Sequence, residues 1–325
     1  MTEREGGELE RRLESWLAGI GLGAAEIERL AGDVSSRIYF RLRAAGGARR
    51  IVAFYPAELR GAQRRFAAAA ALLEVSGVRV PRRFEQDFES GFALLEDLGE
   101  RTLAERRDLD RPARESWIER GFEVGRRIAG LGSSAVLGLG SPCLDAALLE
   151  REIERTVEVL LAPRGLAPEP FVTALGSLCA RLGAEPPVPC HRDFMARNLI
   201  PLEDGRLAVI DFQDLRLGPP AYDSASLLND TFFAPEELER ELLDRLIACG
   251  ISAESYRRAV VQRTLKAVGT FVSFARRGDP RHLPLVTPSL ERASRHLLVL
   301  PETAAAFAPL EEGFSALAAG DPLLD

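Results

Sequence analysis

The chain has 325 residues, a formal net charge of −7 and 46% hydrophobic residues. That length allows two lobes or one large domain, and the balance of apolar and charged residues is typical of a globular protein and excludes a disordered one. The negative charge argues against general binding to nucleic acid or anionic membranes, and no apolar run reaches the roughly 18 residues of a spanning helix. The sequence Met1–Glu5 also lacks the order of a signal peptide. We therefore expect a cytoplasmic protein with neither a nucleic-acid nor a membrane partner.

The first 97 residues mix helical and strand patterns. Apolar residues spaced by three and four positions between Leu9 and Ile20 predict an amphipathic opening helix. An alanine-rich helix is predicted at 58–75. Alternating or short apolar runs bounded by turn residues predict strands at 37–42, 51–55, 78–81 and 91–95.

Beyond Asp97 the pattern becomes mostly helical. Long helices are predicted at 114–131, 144–161, 169–182, 235–249 and 252–277. A non-helical segment from about 188 to 223 interrupts them and contains a short apolar strand at 207–212. The sequence thus predicts an α+β, two-lobed chain, with a small lobe at residues 1–97, a larger lobe at 98–325 and a cleft at their junction.

The segment that interrupts the helices carries residues suited to phosphoryl transfer. It contains the pattern H-R-D-x-x-x-x-N from His191 to Asn198, followed by Asp211-Phe212 at the end of the apolar strand. Phosphoryl transfer needs a carboxylate at the acceptor hydroxyl and oxygen ligands that hold Mg²⁺ on the nucleotide phosphates. Asp193 is the candidate carboxylate, and Asn198 and Asp211 are the candidate metal ligands.

Two segments of the small lobe are candidates for contact with a nucleotide. The stretch 30–37 precedes a hairpin strand, where small residues with free N–H groups can cradle phosphate, and Ser35, Ser36 and Arg37 belong to it. The stretch 94–99 lies at the predicted lobe boundary, where the backbone of Glu96 and Leu98 is placed to contact a purine ring.

Together these segments resemble the aminoglycoside phosphotransferase-like kinases, which implies a protein-kinase-like fold. Within them the chain is most similar to the bacterial anomeric kinases that phosphorylate C1 of N-acetylmuramate and N-acetylglucosamine in cell-wall recycling. Four segments carry the narrower resemblance: 32–41, 94–99, 211–214 and 262–269.

The resemblance implies ATP as donor, Mg²⁺ as cofactor and a small sugar as acceptor. It makes Asp193 the catalytic base, Asn198 and Asp211 the Mg²⁺ ligands, and His191 and Asp223 structural supports. The candidate acceptor-binding residues are Arg197, Asp214, Glu152 and Lys266, which is the only lysine among 42 basic residues.

The chain departs from the family pattern at three places, one of which is the predicted helix around 150–155, where the expected aromatic residues are missing. The strand at 51–56 lacks the lysine that usually holds the α- and β-phosphates, and Arg37 is the candidate for the missing positive charge. Met195 stands where the sugar-kinase branch often has histidine. Two alternatives stay open at this point: an acceptor that is an aminoglycoside or another small alcohol, and a nucleotide-binding pseudokinase that acts as a sensor or scaffold.

Overall fold

A computed structural model describes residues 3–30, 37–43 and 46–319, with side chains from residue 6 onward. The small lobe contains a five-stranded antiparallel sheet with the strand order β1-β2-β3-β5-β4. The strands are β1 Glu26–Arg29, β2 Ile38–Arg43, β3 Arg49–Phe54, β4 Arg83–Asp87 and β5 Phe92–Glu96. Two helices accompany them, α1 Glu3–Gly19 and α2 Arg60–Val75. The predicted nucleotide contacts Ser35 and Ser36 lie outside the described residues.

The sheet buries both of its faces because its central strands are apolar on both sides. On one face, Leu13 and Leu17 of α1 pack against Phe40, Val52 and Phe92, which form a small separate core. On the other face, Ala53, Tyr55 and Leu95 join Phe66 and Leu73 of α2 in the main core, which continues into the large lobe. The second face therefore links the two lobes.

The prediction of a strand at 78–81 is wrong. Arg79 forms only an isolated bridge with Ala208, and the fourth strand is β4, a few residues later. Pro81 cannot donate a backbone hydrogen bond, which disfavours a strand there. The sequence of β4, RFEQD, is mostly polar and therefore does not indicate a strand, although β4 pairs with β5.

The large lobe is mostly helical, and each of the five long helices predicted in it is present, with its ends at most five residues from the predicted ones. Its helices are α3 Arg111–Ala129, α4 Ser133–Leu137, α5 Ala146–Thr156, α6 Glu169–Gly183, α7 Tyr222–Leu228, α8 Glu236–Ala248, α9 Ala253–Arg276, α10 Val286–Leu297, α11 Ala304–Phe307 and α12 Glu311–Ala319. The two-lobed α+β arrangement is confirmed. The lobe boundary between residues 97 and 98 directly follows β5 and stays a prediction.

Two short antiparallel ribbons hold the segment that carries the candidate site. They pair β6 Val188–Cys190 with β9 Arg216–Gly218, and β7 Leu199–Pro201 with β8 Leu207–Val209. The strand predicted at 207–212 ends at Val209, because the chain turns at Asp211, whose φ is 63°. That left-handed turn is rare for a residue other than glycine.

Candidate active site

A cleft of about 1350 Å³ lies between the lobes and brings together most of the candidate residues that the structure describes. The candidate residues that line it are Arg37, Glu96, Leu98, Asp193, Arg197, Asn198, Asp211 and Lys266. Four other candidates, Glu152, His191, Asp214 and Asp223, are not among the residues that line the cleft. Their contacts place them behind the wall, where they hold residues that do line it.

Asp223 fixes the backbone that leads into Asp193. Its two carboxylate oxygens accept the backbone N–H groups of His191 and Arg192, at 2.6 and 3.0 Å. Arg192 has φ 78°, a strained conformation that such flanking contacts can maintain. The imidazole Nε2 of the buried His191 lies 3.0 Å from the carbonyl oxygen of Ile210, one residue before Asp211. His191 and Asp223 thus connect the turn at Asp193 to the turn at Asp211.

Three cationic side chains surround the carboxylate of Asp193. Lys266 Nζ and Arg263 Nη1 lie 3.2 and 3.3 Å from its Oδ1, and Arg192 Nη1 lies 4.0 Å from its Oδ2. Burial by itself raises the pKa of this carboxyl, but Lys266, Arg263 and Arg192 outweigh burial and hold the pKa far below its usual range. Asp193 is therefore ionised at any physiological pH.

Glu152 holds two of those cations in place. Its carboxylate lies 2.6 Å from Arg192 Nη2 and 3.5 Å from Lys266 Nζ, and it accepts a hydrogen bond of 3.2 Å from Gln262. Burial raises the pKa of Glu152, but the neighbouring Lys266 and Arg192 lower it by a larger amount. The net shift of the pKa is therefore downward. Asp214 also pairs with Arg192, at 3.4 Å.

Asn198 and Asp211 present oxygen atoms at the cleft that suit Mg²⁺. The side-chain amide nitrogen of Asn198 donates to the carbonyl oxygen of Asp193, at 2.8 Å, which leaves its amide oxygen for a ligand. Oδ1 of Asp211 accepts from Arg37 and Gln213, at 2.7 and 2.9 Å, and the side chain is 39% exposed.

In the described part of the chain, no three His, Cys, Asp or Glu residues cluster as a metal cage. A site of one or two protein ligands, completed by substrate phosphates and water, is the arrangement that Mg²⁺ favours. The residues present therefore fit this ion.

Arg37 brings a positive charge from the small lobe to the candidate metal ligand Asp211. Its guanidinium contacts Asp211 and also donates to Gln213 Oε1, at 3.0 Å. The strand β3 contributes no lysine, so Arg37 is the cation that contacts the candidate metal ligand Asp211 from across the cleft. Burial lowers the pKa of Arg37, but Tyr39 and Asp211 raise it by a larger amount. The guanidinium therefore stays charged.

The end of β5 lines the cleft with Glu96, whose acidic side chain is already paired. The carboxylate of Glu96 pairs with Arg79 at 2.5 Å and accepts the N–H of Arg82 at 3.0 Å, so it is occupied. Leu98 follows the strand and lines the cleft together with the apolar side chains of Ile51 and Ile210. This apolar surface suits a flat purine ring.

Aromatic side chains form another part of the cleft wall. Phe271 and Phe274 of α9 line it with His282 and with Phe232, which follows α7. The rings of Phe271 and His282 stack, with centroids 5.3 Å apart. Such a wall suits the apolar face of a small organic ligand.

Sequence reasoning missed Arg192, Arg263 and Gln213 as parts of the site. A signal for Arg263 was present, because residues three apart on a helix share a face and Arg263 precedes Lys266 by three. Arg192 belongs to the motif itself. No local pattern announces Gln213, whose role depends on the approach of Arg37 from the other lobe.

With this geometry in view, the comparison with protein families assigns the chain to a class. Residues 26–261 match the model of the phosphotransferase enzyme family, and the chain belongs to that family. It is 33% identical to an N-acetylmuramate/N-acetylglucosamine kinase of Pseudomonas aeruginosa, over 90% of each chain. It is 31% identical to the kinase of the same name from Pseudomonas putida, over 80% of each chain.

Solved structures support the fold. A choline kinase from Streptococcus pneumoniae superposes with a TM-score of 0.63 at 16% identity, covering 89% of this chain and 99% of that one. An ADP-bound aminoglycoside phosphotransferase gives a TM-score of 0.60 at 18% identity, covering 91% and 98%. The chain therefore has the protein-kinase-like fold of these enzymes. Across the ranges that the structure describes, no helix is both long and apolar enough to cross a membrane.

Proposed function

We propose that the protein transfers the γ-phosphoryl group of ATP to the anomeric hydroxyl of N-acetylmuramate or N-acetylglucosamine. The observation that carries this proposal is the likeness, at 33% identity over 90% of the chain, to a kinase named for those two sugars. The geometry of the cleft agrees with it, because Asp193, Asn198 and Asp211 line one cavity large enough for a nucleotide and a sugar.

In this proposal Asp193 orients the attacking hydroxyl and takes its proton. A carboxylate held so firmly in the ionised form by Lys266, Arg263 and Arg192 is a weak base. A weak base suffices in a loose transition state, in which the hydroxyl loses its proton only as the new bond to phosphorus forms. It also suits a hemiacetal hydroxyl, which is more acidic than that of an ordinary alcohol.

Asn198 and Asp211 would hold Mg²⁺, which when bound neutralises the charge on the nucleotide phosphates. Arg37 would add a cation from the small lobe at the same end of the cleft. The backbone near Leu98 and the apolar residues around it would bind the purine and exclude water from it. These residues would position the nucleotide and stabilise the negative charge on its phosphates. Positioning and charge stabilisation are most of what phosphoryl transfer requires from a protein.

The test compares each free sugar with its methyl glycoside, which lacks the anomeric hydroxyl. We expect ATP consumption to depend on the added free sugar, the product to carry phosphate at C1, and the methyl glycosides to yield no product. Phosphate at another carbon, or equal turnover of the glycosides, contradicts the anomeric assignment.

The same assay decides between this proposal and the two alternatives. Turnover with aminoglycosides or with small alcohols such as choline, and none with the sugars, supports the other acceptor class. Tight binding of Mg·ATP without turnover of any acceptor supports the pseudokinase. The cationic side chains that line the cleft beside Asp193 disfavour a polycationic aminoglycoside, because like charges repel.

A further inference from the structure

Three arginines that line the cleft lack an acidic partner in the described parts of the chain. They are Arg107, Arg114 and Arg197, and none of them has a carboxylate oxygen within 4.0 Å. Neighbouring cations differ in this respect, since Arg106 pairs with Asp108, and Arg192 with Glu152. The protein has a net charge of −7, so a group of three guanidinium ions without carboxylate partners stands out. We expect such a group inside a cleft to bind an anion.

The three arginines share one end of the cleft. Arg197 belongs to the turn Ala196–Asn198, which packs against the turn Leu103–Glu105 just before Arg107. Arg114 donates to the backbone carbonyl oxygen of Arg107, at 3.1 Å, which brings these two residues together. The guanidinium of Arg114 also lies over the ring of Phe232, which belongs to the aromatic wall of the cleft.

This end of the cleft lies beside the candidate base and not beside Arg37. The sulphur of Met195 contacts both Arg197 Nε, at 2.7 Å, and Arg263 Nη2, at 3.9 Å. Arg263 in turn contacts the Asp193 carboxylate. On the phosphate side, by contrast, Asp211 contacts Arg37 and Gln213.

We infer that Arg197, supported by Arg114 and Arg107, binds a carboxylate carried by the acceptor. The inference rests on the proposed function and selects between its two sugars. N-acetylmuramate carries a lactyl carboxylate on the ether oxygen at C3, and N-acetylglucosamine has only a neutral hydroxyl there. An arginine pairs well with a carboxylate through two parallel N–H groups, so Arg197 makes the protein prefer the acidic sugar.

The experiment measures kcat/KM for both sugars with the parent, with Arg197→Gln and with the control Arg106→Gln. Arg106 lines the same cleft, but its charge is already paired with Asp108. We expect Arg197→Gln to lower kcat/KM for N-acetylmuramate by about tenfold to a hundredfold, the range of a charge-assisted hydrogen bond. N-acetylglucosamine and the KM for ATP should change no more than a few-fold, and Arg106→Gln should match the parent.

Other results overturn the inference. If Arg197→Gln lowers kcat/KM equally for both sugars, or raises the KM for ATP, Arg197 does not recognise the acceptor carboxylate and acts on the nucleotide phosphates instead. If kcat/KM is unchanged for both sugars, Arg197 is not part of the site. Calorimetric titration of N-acetylmuramate into the Mg·ADP complex separates this inference from the proposed function. Binding by the parent that Arg197→Gln weakens, without turnover of either sugar, keeps the anion site and rejects the proposed reaction. Turnover of N-acetylglucosamine without any binding of N-acetylmuramate rejects the anion site and keeps the proposed reaction.

Discussion

The two ends of the cleft have carboxylates in different electrostatic settings. Asp193, at the proposed acceptor end, has three cations of the described residues within 4.0 Å, and all of them belong to the large lobe. Asp211, at the proposed phosphate end, pairs among the described residues with one cation, Arg37, which comes from the small lobe. The acceptor end is therefore assembled within one lobe, whereas the phosphate end is completed only where the lobes meet.

This difference indicates which parts of the site are preorganised. The charges around Asp193 are held by Glu152, Asp214 and Asp230, so the carboxylate meets the acceptor already ionised and oriented. Asp211 shares its Oδ1 between Arg37 and Gln213, and those contacts compete with a metal ion for the same carboxylate. We expect substitutions at the acceptor end to affect kcat and those at the phosphate end to affect nucleotide binding.

The largest effect is expected at Asp211. Replacing Asp211 by Ala removes a candidate metal ligand, and we expect it to abolish both turnover and the Mg²⁺ dependence of ATP affinity while the protein stays folded. Calorimetric titration of ATP with and without Mg²⁺ measures this. Unchanged Mg·ATP affinity in Asp211→Ala and in Asn198→Ala would remove the metal-site assignment.

Asp193→Asn tests the acceptor end. The amide keeps the shape of the side chain and cannot take a proton, so we expect kcat to fall by about 10²–10⁴-fold. ATP affinity should change only a few-fold if Asp193 faces the acceptor, as proposed. Steady-state kinetics with one sugar and a nucleotide titration provide both quantities. Full turnover by the variant would show that Asp193 is not the base.

Lys266→Met removes one of the cations that keep Asp193 ionised. We expect kcat to fall about a hundredfold at neutral pH, as for the loss of one preorganised electrostatic contact. The cation lowers the pKa of Asp193, so its removal raises that pKa, and the acid limb of the pH–rate profile should move to higher pH. Lys266→Arg should largely restore both. A lower rate with an unmoved acid limb in the Met variant would indicate a packing role alone.

The smallest effect is expected for Arg37→Ala. If Arg37 replaces the absent strand lysine, its loss should raise the KM for ATP, lower kcat, or both, by a combined amount of about 1.5–3 kcal/mol. The control variant is Arg41→Ala. Arg41 belongs to β2, which begins directly after Arg37, and it also lines the cleft, but it pairs with Asp97. Kinetics equal to those of the parent would make Arg37 an ordinary residue of the hairpin.

Local patterns in the sequence determined much of the fold and the chemistry of the site. Helical spacing predicted α1, α2 and the five long helices of the large lobe, because burial of one helix face leaves a regular trace in the sequence. The motif from His191 to Asn198, followed by Asp211, predicted residues that all line the cleft or support its wall, because one short loop and the next turn position them.

Tertiary structure alone decided the electrostatics of the site. Arg37 meets Asp211 across 174 positions of the chain, and Lys266 meets Asp193 across 73. Glu152, expected at the acceptor, instead lies behind Arg192 and Lys266 and holds them. Charges act through space and at short range, so their partners depend on how distant segments pack, and spacing along the sequence does not encode that. The same reason explains β4, whose polar residues form a strand only because β5 lies beside them.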